Sequence, residues 1–167
     1  MAELDEAERR SIIETGHALA DAARIATLAH FRGDGLTADT KESHRFDPVT
    51  VADRESEQRM REIIAARRPM DGILGEEFPP VASRNGLTWV LDPIDGTRGF
   101  LSGTPTWGVL VALADRNGPV FGIIDQPYIR ERFVGGLGTA EVVGPSGLAR
   151  LRARPARPLS EAILFTT

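Results

Sequence analysis

Two acidic segments carry the chemistry that this chain could perform. Gly75-Glu76-Glu77 follows the apolar pair Ile73-Leu74, and Trp89-Val90-Leu91 runs into Asp92-Pro93-Ile94-Asp95-Gly96-Thr97. The second segment reads as a strand delivering two carboxylates at its C-terminal end. Pro93 fixes one φ angle and has no N–H, which predicts that the chain leaves the ladder there. A turn at Pro93-Ile94 points Asp92 and Asp95 to one side, and the freed Ile94 carbonyl joins them. Glu76 supplies a third carboxylate. Together they make a cluster with too many like charges to stand without a cation. Oxygen-only donors suit Mg²⁺, with Mn²⁺ as the other fit. Gly96-Thr97 follows at once: glycine lets backbone approach a ligand closely, and successive N–H groups in a turn form an anion site. Thr97 adds a hydroxyl able to orient an attacking water. Cation ligands beside phosphate-facing amides point to metal-assisted phosphoryl chemistry.

The same residues also fit a plainer reading. Asp-Gly is a common turn dipeptide, Asp92 and Asp95 could cap a turn, and Glu76 and Glu77 could be solvated. Thr50 and Asp53 have the spacing of a capping box with Asp in the Glu place, so Asp53 stands equally as helix cap or as site residue. There is no phosphate-binding GxxxxGK[ST], no HExxH and no GxSxG. The glycines near Gly136 and Gly138 fail the dinucleotide pattern at Glu141, and His17, His30 and His44 are scattered.

These motifs need elements to hold them. Residues 4–31 keep the helical period with no proline, and Gly33 and Gly35 stop them. Residues 36–49 read as polar and irregular. A second helix starts after Thr50, with Met60, Ile63 and Ile64 on one face, and Pro69 ends it at about Arg68. The period then changes to two. Leu87–Leu91, Trp107–Ala114, Val120–Asp125, Glu131–Val134, Glu141–Val143 and Leu148–Arg152 read as strands. Asp115-Arg116-Asn117-Gly118 and Gly144-Pro145-Ser146-Gly147 are hairpin signals. Short links imply antiparallel neighbours. The expected fold class is α+β: two long helices packed on a mainly antiparallel sheet.

Composition excludes several classes. A chain of 167 residues with 41% hydrophobic and 26% charged residues is an ordinary globular balance. Absence of cysteine excludes a disulfide scaffold, a thiolate zinc site and a cysteine nucleophile. The longest apolar run, Val109 to Ala114, is too short for a membrane span. The acidic start, Glu3, Asp5, Glu6 and Glu8, is unlike a signal peptide. A net charge of −4 argues against nucleic acid or anionic lipid as partner. A cytoplasmic protein is expected. Arg150 to Pro158 reads as an exposed boundary segment.

Asp47-Pro48-Val49-Thr50-Val51-Ala52-Asp53, Gly75-Glu76-Glu77 and Asp92-Pro93-Ile94-Asp95-Gly96-Thr97 together resemble the inositol monophosphatase family in order and spacing. Arg98 to Gly108 and Gly122-Ile123-Ile124-Asp125-Gln126-Pro127 look like its histidinol-phosphatase branch. The resemblance implies Mg²⁺-dependent hydrolysis of a small phosphomonoester, with histidinol phosphate favoured and hence a place in histidine biosynthesis. Inositol monophosphate and other small sugar or nucleotide phosphates are the alternatives. By matching motif, Glu76, Asp92, the Ile94 carbonyl and Asp95 are implied metal ligands. Asp95, Gly96 and Thr97 face the phosphate. Asp53 and Thr97, with Glu76, serve catalysis by positioning and helping to deprotonate the attacking water. Lys41 falls in a loop where the family often carries a lysine near the metals. Family members continue into a second α/β half with a Trp-Asp-x-Ala motif, and neither Trp89 nor Trp107 is followed by Asp. The expectation is therefore a domain over 1–158, with 159–167 the start of a C-terminal half. Apolar surface near Leu159, Ile163, Leu164 and Phe165 would then be uncovered, so a homo-oligomer, a dimer first, is expected. A non-catalytic metal-binding fragment that associates with another chain is the contrasting reading.

Overall fold

The computed structural model describes residues 4–33, 38–40 and 48–164, with backbone alone at 38–40 and 48–49. Lys41, His44, Asp47 and Phe165 lie outside the described residues. Helix α1 (Glu6–His30) begins where the Asp5 carboxylate accepts the Glu8 N–H at 2.8 Å, satisfying one of the unpaired amides of the first turn. Its apolar residues Ile12, Leu19, Ala20 and Ala23 face inward. Helix α2 (Val51–Arg67) begins at the expected capping box, with Thr50 and Asp53 bonded reciprocally.

Residues 36–49 are not wholly irregular: β1 (Ala38–Thr40) and β2 (Pro48–Thr50) pair antiparallel. Their backbone hydrogen bonds, not an apolar pattern, define them. The main sheet has seven strands in sequence order: β3 (Gly72–Gly75), β4 (Thr88–Asp95), β5 (Gly108–Asp115), β6 (Gly118–Gln126), β7 (Glu131–Gly136), β8 (Thr139–Gly144) and β9 (Gly147–Arg150). All neighbours from β4 onward are antiparallel, and both expected hairpin turns are present. The first pair, β3 with β4, is parallel. A parallel pair needs a long connection. Here it runs back along β3, where Ile73 and Val81 exchange backbone hydrogen bonds of 2.9 and 2.8 Å. Buried Asp71 pins this connection, accepting from Arg68 Nε at 2.8 Å, Asn85 Nδ2 at 2.7 Å and Trp89 Nε1 at 2.9 Å. A short helix, α3 (Thr97–Leu101), follows β4, and a 3₁₀ turn covers Leu159–Glu161.

Alternation along the strands sends Val109, Val111, Leu113, Phe121 and Ile123 against α1 and α2, around buried Trp89 and Leu91. The opposite face is an open apolar groove of about 560 Å³ lined by Val90, Leu110, Ala112, Ile124 and Phe133. Leu159, Ile163 and Leu164 are 92%, 75% and 89% exposed. A second, aromatic core packs Phe31, Phe100 and Trp107 with Ile94 and Ala52. Ring centroids there lie 4.9 to 5.3 Å apart. Among the described residues, no helix is long and apolar enough to cross a membrane.

Candidate active site

Parallel pairing assembles the acidic site. β3 and β4 run side by side with Gly75 opposite Leu91, so the next residue on each strand, Glu76 and Asp92, emerges at the same edge. Crevices at the C-terminal ends of parallel strands are where ligands bind in open sheets. β4 does not leave the ladder at Pro93. It pairs with β5 through Asp95, and a register shift lies between Asp92 and Asp95. One extra residue in the bulge absorbs the missing proline donor. The Asp92 carboxylate accepts the Ile94 N–H at 3.1 Å. The Ile94 side chain is buried in the aromatic core, which anchors the turn.

Gly96 turns the chain into α3 with φ +83°, a left-handed conformation that costs glycine little. A Cβ there would also meet the Thr106 carbonyl oxygen at 2.9 Å. Thr97 Oγ1 donates to the Ile94 carbonyl at 3.0 Å. Asp53 comes to the site from the first turn of α2 and is buried. Its Oδ2 accepts the Thr50 N–H at 2.8 Å and the Thr50 hydroxyl at 2.6 Å. The cap role is therefore real, and it leaves the Asp53 charge facing the same cluster.

That cluster is felt most by Asp92. Burial, then the like charges of Glu76 and Asp95, push its carboxyl up to about 7, with Asp53 adding to the rise and the Ile94 N–H opposing it. The carboxylates of Glu76, Asp95 and Asp53 thus all act on Asp92. Yet among the described residues no three of them already enclose a single point. Glu76 and Asp95 are exposed. The donor set itself, carboxylates and a carbonyl, is that of a hard divalent cation.

A pH dependence follows. Folded Asp92 keeps its proton up to about 7, whereas the unfolded group loses it near the ordinary carboxylate value. Between those limits unfolding releases a proton, so stability falls as pH rises through the window. In a chelator, the parent should be less stable than Asp92→Asn at pH 8 by an amount on the order of a few kcal/mol. The gap should narrow at pH 5 and close only as the pH falls below the ordinary carboxylate value. Urea unfolding of both proteins at the two pH values is the measurement, and a pH-independent gap would contradict it.

One residue of the site was not visible as such in the sequence. Glu57, one turn beyond Asp53 on α2, is a fully buried carboxylate bonded to the Glu77 N–H at 2.8 Å. Its only signal is the i+4 spacing from Asp53.

The chain is similar to known proteins over most of its length. The family model described as "Inositol monophosphatase family" matches residues 8–167. The bifunctional phosphatase IMPL2 of Arabidopsis thaliana is 35% identical over 167 residues, which is 99% of this chain and 46% of the relative. The histidinol-phosphatase of Mycobacterium tuberculosis is 38% identical over 140 residues, 84% of this chain and 51% of the relative. An inositol monophosphatase from Zymomonas mobilis superposes with a TM-score of 0.67 at 42% identity, covering 87% of this chain and 55% of that one. The chain spans about half the length of the curated relatives it matches.

Proposed function

The chain belongs to the inositol monophosphatase family, and from that premise we propose that it serves divalent-cation-dependent hydrolysis of a small phosphomonoester, histidinol phosphate first. The observation that carries the chemistry is the parallel β3–β4 edge, where Glu76 stands level with Asp92 and burial, then the charges of Glu76 and Asp95, push Asp92 up to about 7. A site that crowds like charges in this way is one that a cation stabilises. The substrate choice is supported by the named histidinol-phosphatase relative and by the Arg98–Gly108 and Gly122–Pro127 segments. The inositol monophosphatase neighbour keeps inositol monophosphate as the competing substrate.

In this reading Glu76, Asp92, the Ile94 carbonyl and Asp95 hold Mg²⁺, or Mn²⁺ in its place. The cation supplies positive charge to the phosphate oxygens and eases ionisation of water. Asp95, Gly96 and Thr97 orient the phosphate. Asp53 and Thr97 position the attacking water and help take its proton. The water oxygen bonds to phosphorus, the ester P–O bond breaks, and the alcohol leaves with a proton. The reading also carries a soluble homodimer in the cytoplasm.

Calorimetric titration of Mg²⁺ and Mn²⁺ into the parent and Asp95→Asn tests the ligand set. The variant should bind at least roughly tenfold more weakly, the scale for disturbing a metal site. Equal affinity would remove Asp95 from the set. Phosphate release from histidinol phosphate and from inositol monophosphate, by the 167-residue chain and by a version carried to the relatives' length, tests the activity. Faster release from inositol monophosphate would overturn the substrate choice. No release by either version would leave the non-catalytic reading.

A further inference from the structure

Glu57 has no part in the chemistry just proposed, yet its carboxylate is fully buried. A buried charge persists only with partners, and its partners all lead to one loop. Glu57 Oε1 accepts from Arg61 Nε at 2.7 Å, and Oε2 accepts the Glu77 backbone N–H at 2.8 Å. Arg61 reaches the same loop: Nη2 donates to the Phe78 carbonyl at 2.9 Å, and the guanidinium lies 5.6 Å from the Phe78 ring centroid. Gly75 completes the fit. A Cβ there would meet Glu57 Oε1 at 2.1 Å and Cδ at 2.3 Å, so the carboxylate occupies the space a side chain would need. Glu76 is the residue between these fixed points.

The geometry points to a positioning role: the Glu57–Arg61 pair clamps residues 75–78 to α2 and thereby sets where Glu76 stands beside Asp92 and Asp53. The consequence for cation binding rests on the ligand set proposed above. Two observations and one energetic argument favour a clamp over a simple helix ion pair. Glu77 and Phe78 lie beyond the end of β3, so their backbone groups have left the ladder, and charge-assisted bonds are the strong way to hold them. Asp53 and Glu57 sit on successive turns of α2, so one rigid helix fixes both flanks of the site. A buried pair adds little net stability over an apolar one, but breaking it leaves an uncompensated charge. Displacing the loop would do that.

Amide exchange and Mn²⁺ titration of the full chain test it. In the parent, the Glu77 amide should be protected like those of β5. In Glu57→Ala it should exchange much faster while the Val111 amide is unchanged, and Mn²⁺ affinity should fall roughly 10–100-fold, the scale for residues that orient metal ligands. Glu57→Gln keeps an oxygen for the Glu77 N–H and should fall between parent and alanine variant. An equal loss in both would mean that only charge matters, and would overturn the clamp. Should Glu57→Ala fail to fold, Gly75→Ala wedges a methyl into the clamp with every charge in place, and should free the Glu77 amide in the same way. Unchanged exchange at Glu77 in the variant that folds would also overturn it. If the parent binds no Mn²⁺, the cation reading falls, and Glu77 exchange still decides the clamp.

Discussion

Thr97→Ala is expected to lower kcat for phosphate release by roughly 10²-fold or more, the scale for losing a group that handles the reacting proton. The measurement belongs in the version carried to the relatives' length. The fold should be little changed, because among the described residues the hydroxyl bonds to the Ile94 carbonyl and Thr97 belongs to neither hydrophobic core. Asp53→Asn should cost a similar factor through the same water. It should also remove part of a cap, since Asp53 Oδ2 receives both the Thr50 N–H and hydroxyl, at a stability cost of about 0.5–2 kcal/mol. Two readouts therefore separate its two roles. If Asp53 is a cap alone, its variant loses stability and keeps kcat. If both residues serve one water, the double variant should lose clearly less than the product of the single losses. Additive losses in log kcat would show that they act independently.

Local pattern made much of this legible. α1 and α2 stand where the 3.6 period and the caps place them, and the hairpins stand at their Asn-Gly and Pro-Ser turns. The parts that escaped depend on distant partners. β3 offers only Ile73-Leu74 between two glycines. It is a strand because β4 lies beside it, and such pairing has no local signature. Pro93 reads as a ladder break, but the bulge let β4 continue to Asp95. Glu76, Asp92 and Asp95, which the structure brings to one edge of the sheet, were singled out by type and spacing, and Asp53 was left open between cap and site, whereas Glu57 was not singled out at all. A helical glutamate ordinarily reads as solvated, and only the tertiary fit against Gly75 and Glu77 shows otherwise. Asp125 is intermediate. Phe121, Ile123 and Asp125 alternate onto one buried face, so the sequence does place a carboxylate at an inward position. It does not show what neutralises it.

Neutralisation of Asp125 is the basis of the largest expected loss of stability. Its carboxylate is fully buried. Oδ2 accepts from Arg24 Nε at 3.0 Å, while Oδ1 accepts from Arg24 Nη2 at 2.6 Å and Arg132 Nε at 2.7 Å. Arg132 stands directly across the β6–β7 ladder from Asp125, and Arg24 comes from α1, so one carboxylate ties helix to sheet. Burial opposes the charge on Arg132, yet its bond to Asp125 holds its pKa above the ordinary value. His17 answers in the other direction: burial, then Arg132, keep it below its usual pKa, and its Nδ1 lies 3.2 Å from Arg132 Nη1. Asp125→Ala removes the carboxylate shared by two guanidinium groups, although Arg132 keeps Asp21 at 2.7 Å and Arg24 is partly exposed, and should cost about 3 kcal/mol, the lower end for breaking a buried ion pair from one side. Arg24→Ala should cost less, because the Arg24 side chain is 29% exposed and Asp125 keeps Arg132. The double variant should be no worse than Asp125→Ala, since removing Arg24 also removes one of the two guanidinium groups left without Asp125. Urea unfolding with an unchanged m-value is the measurement. A loss within about 1 kcal/mol for Asp125→Ala, the level of an exposed pair, would show that solvent reaches this carboxylate and that apolar packing alone seats α1 on the sheet.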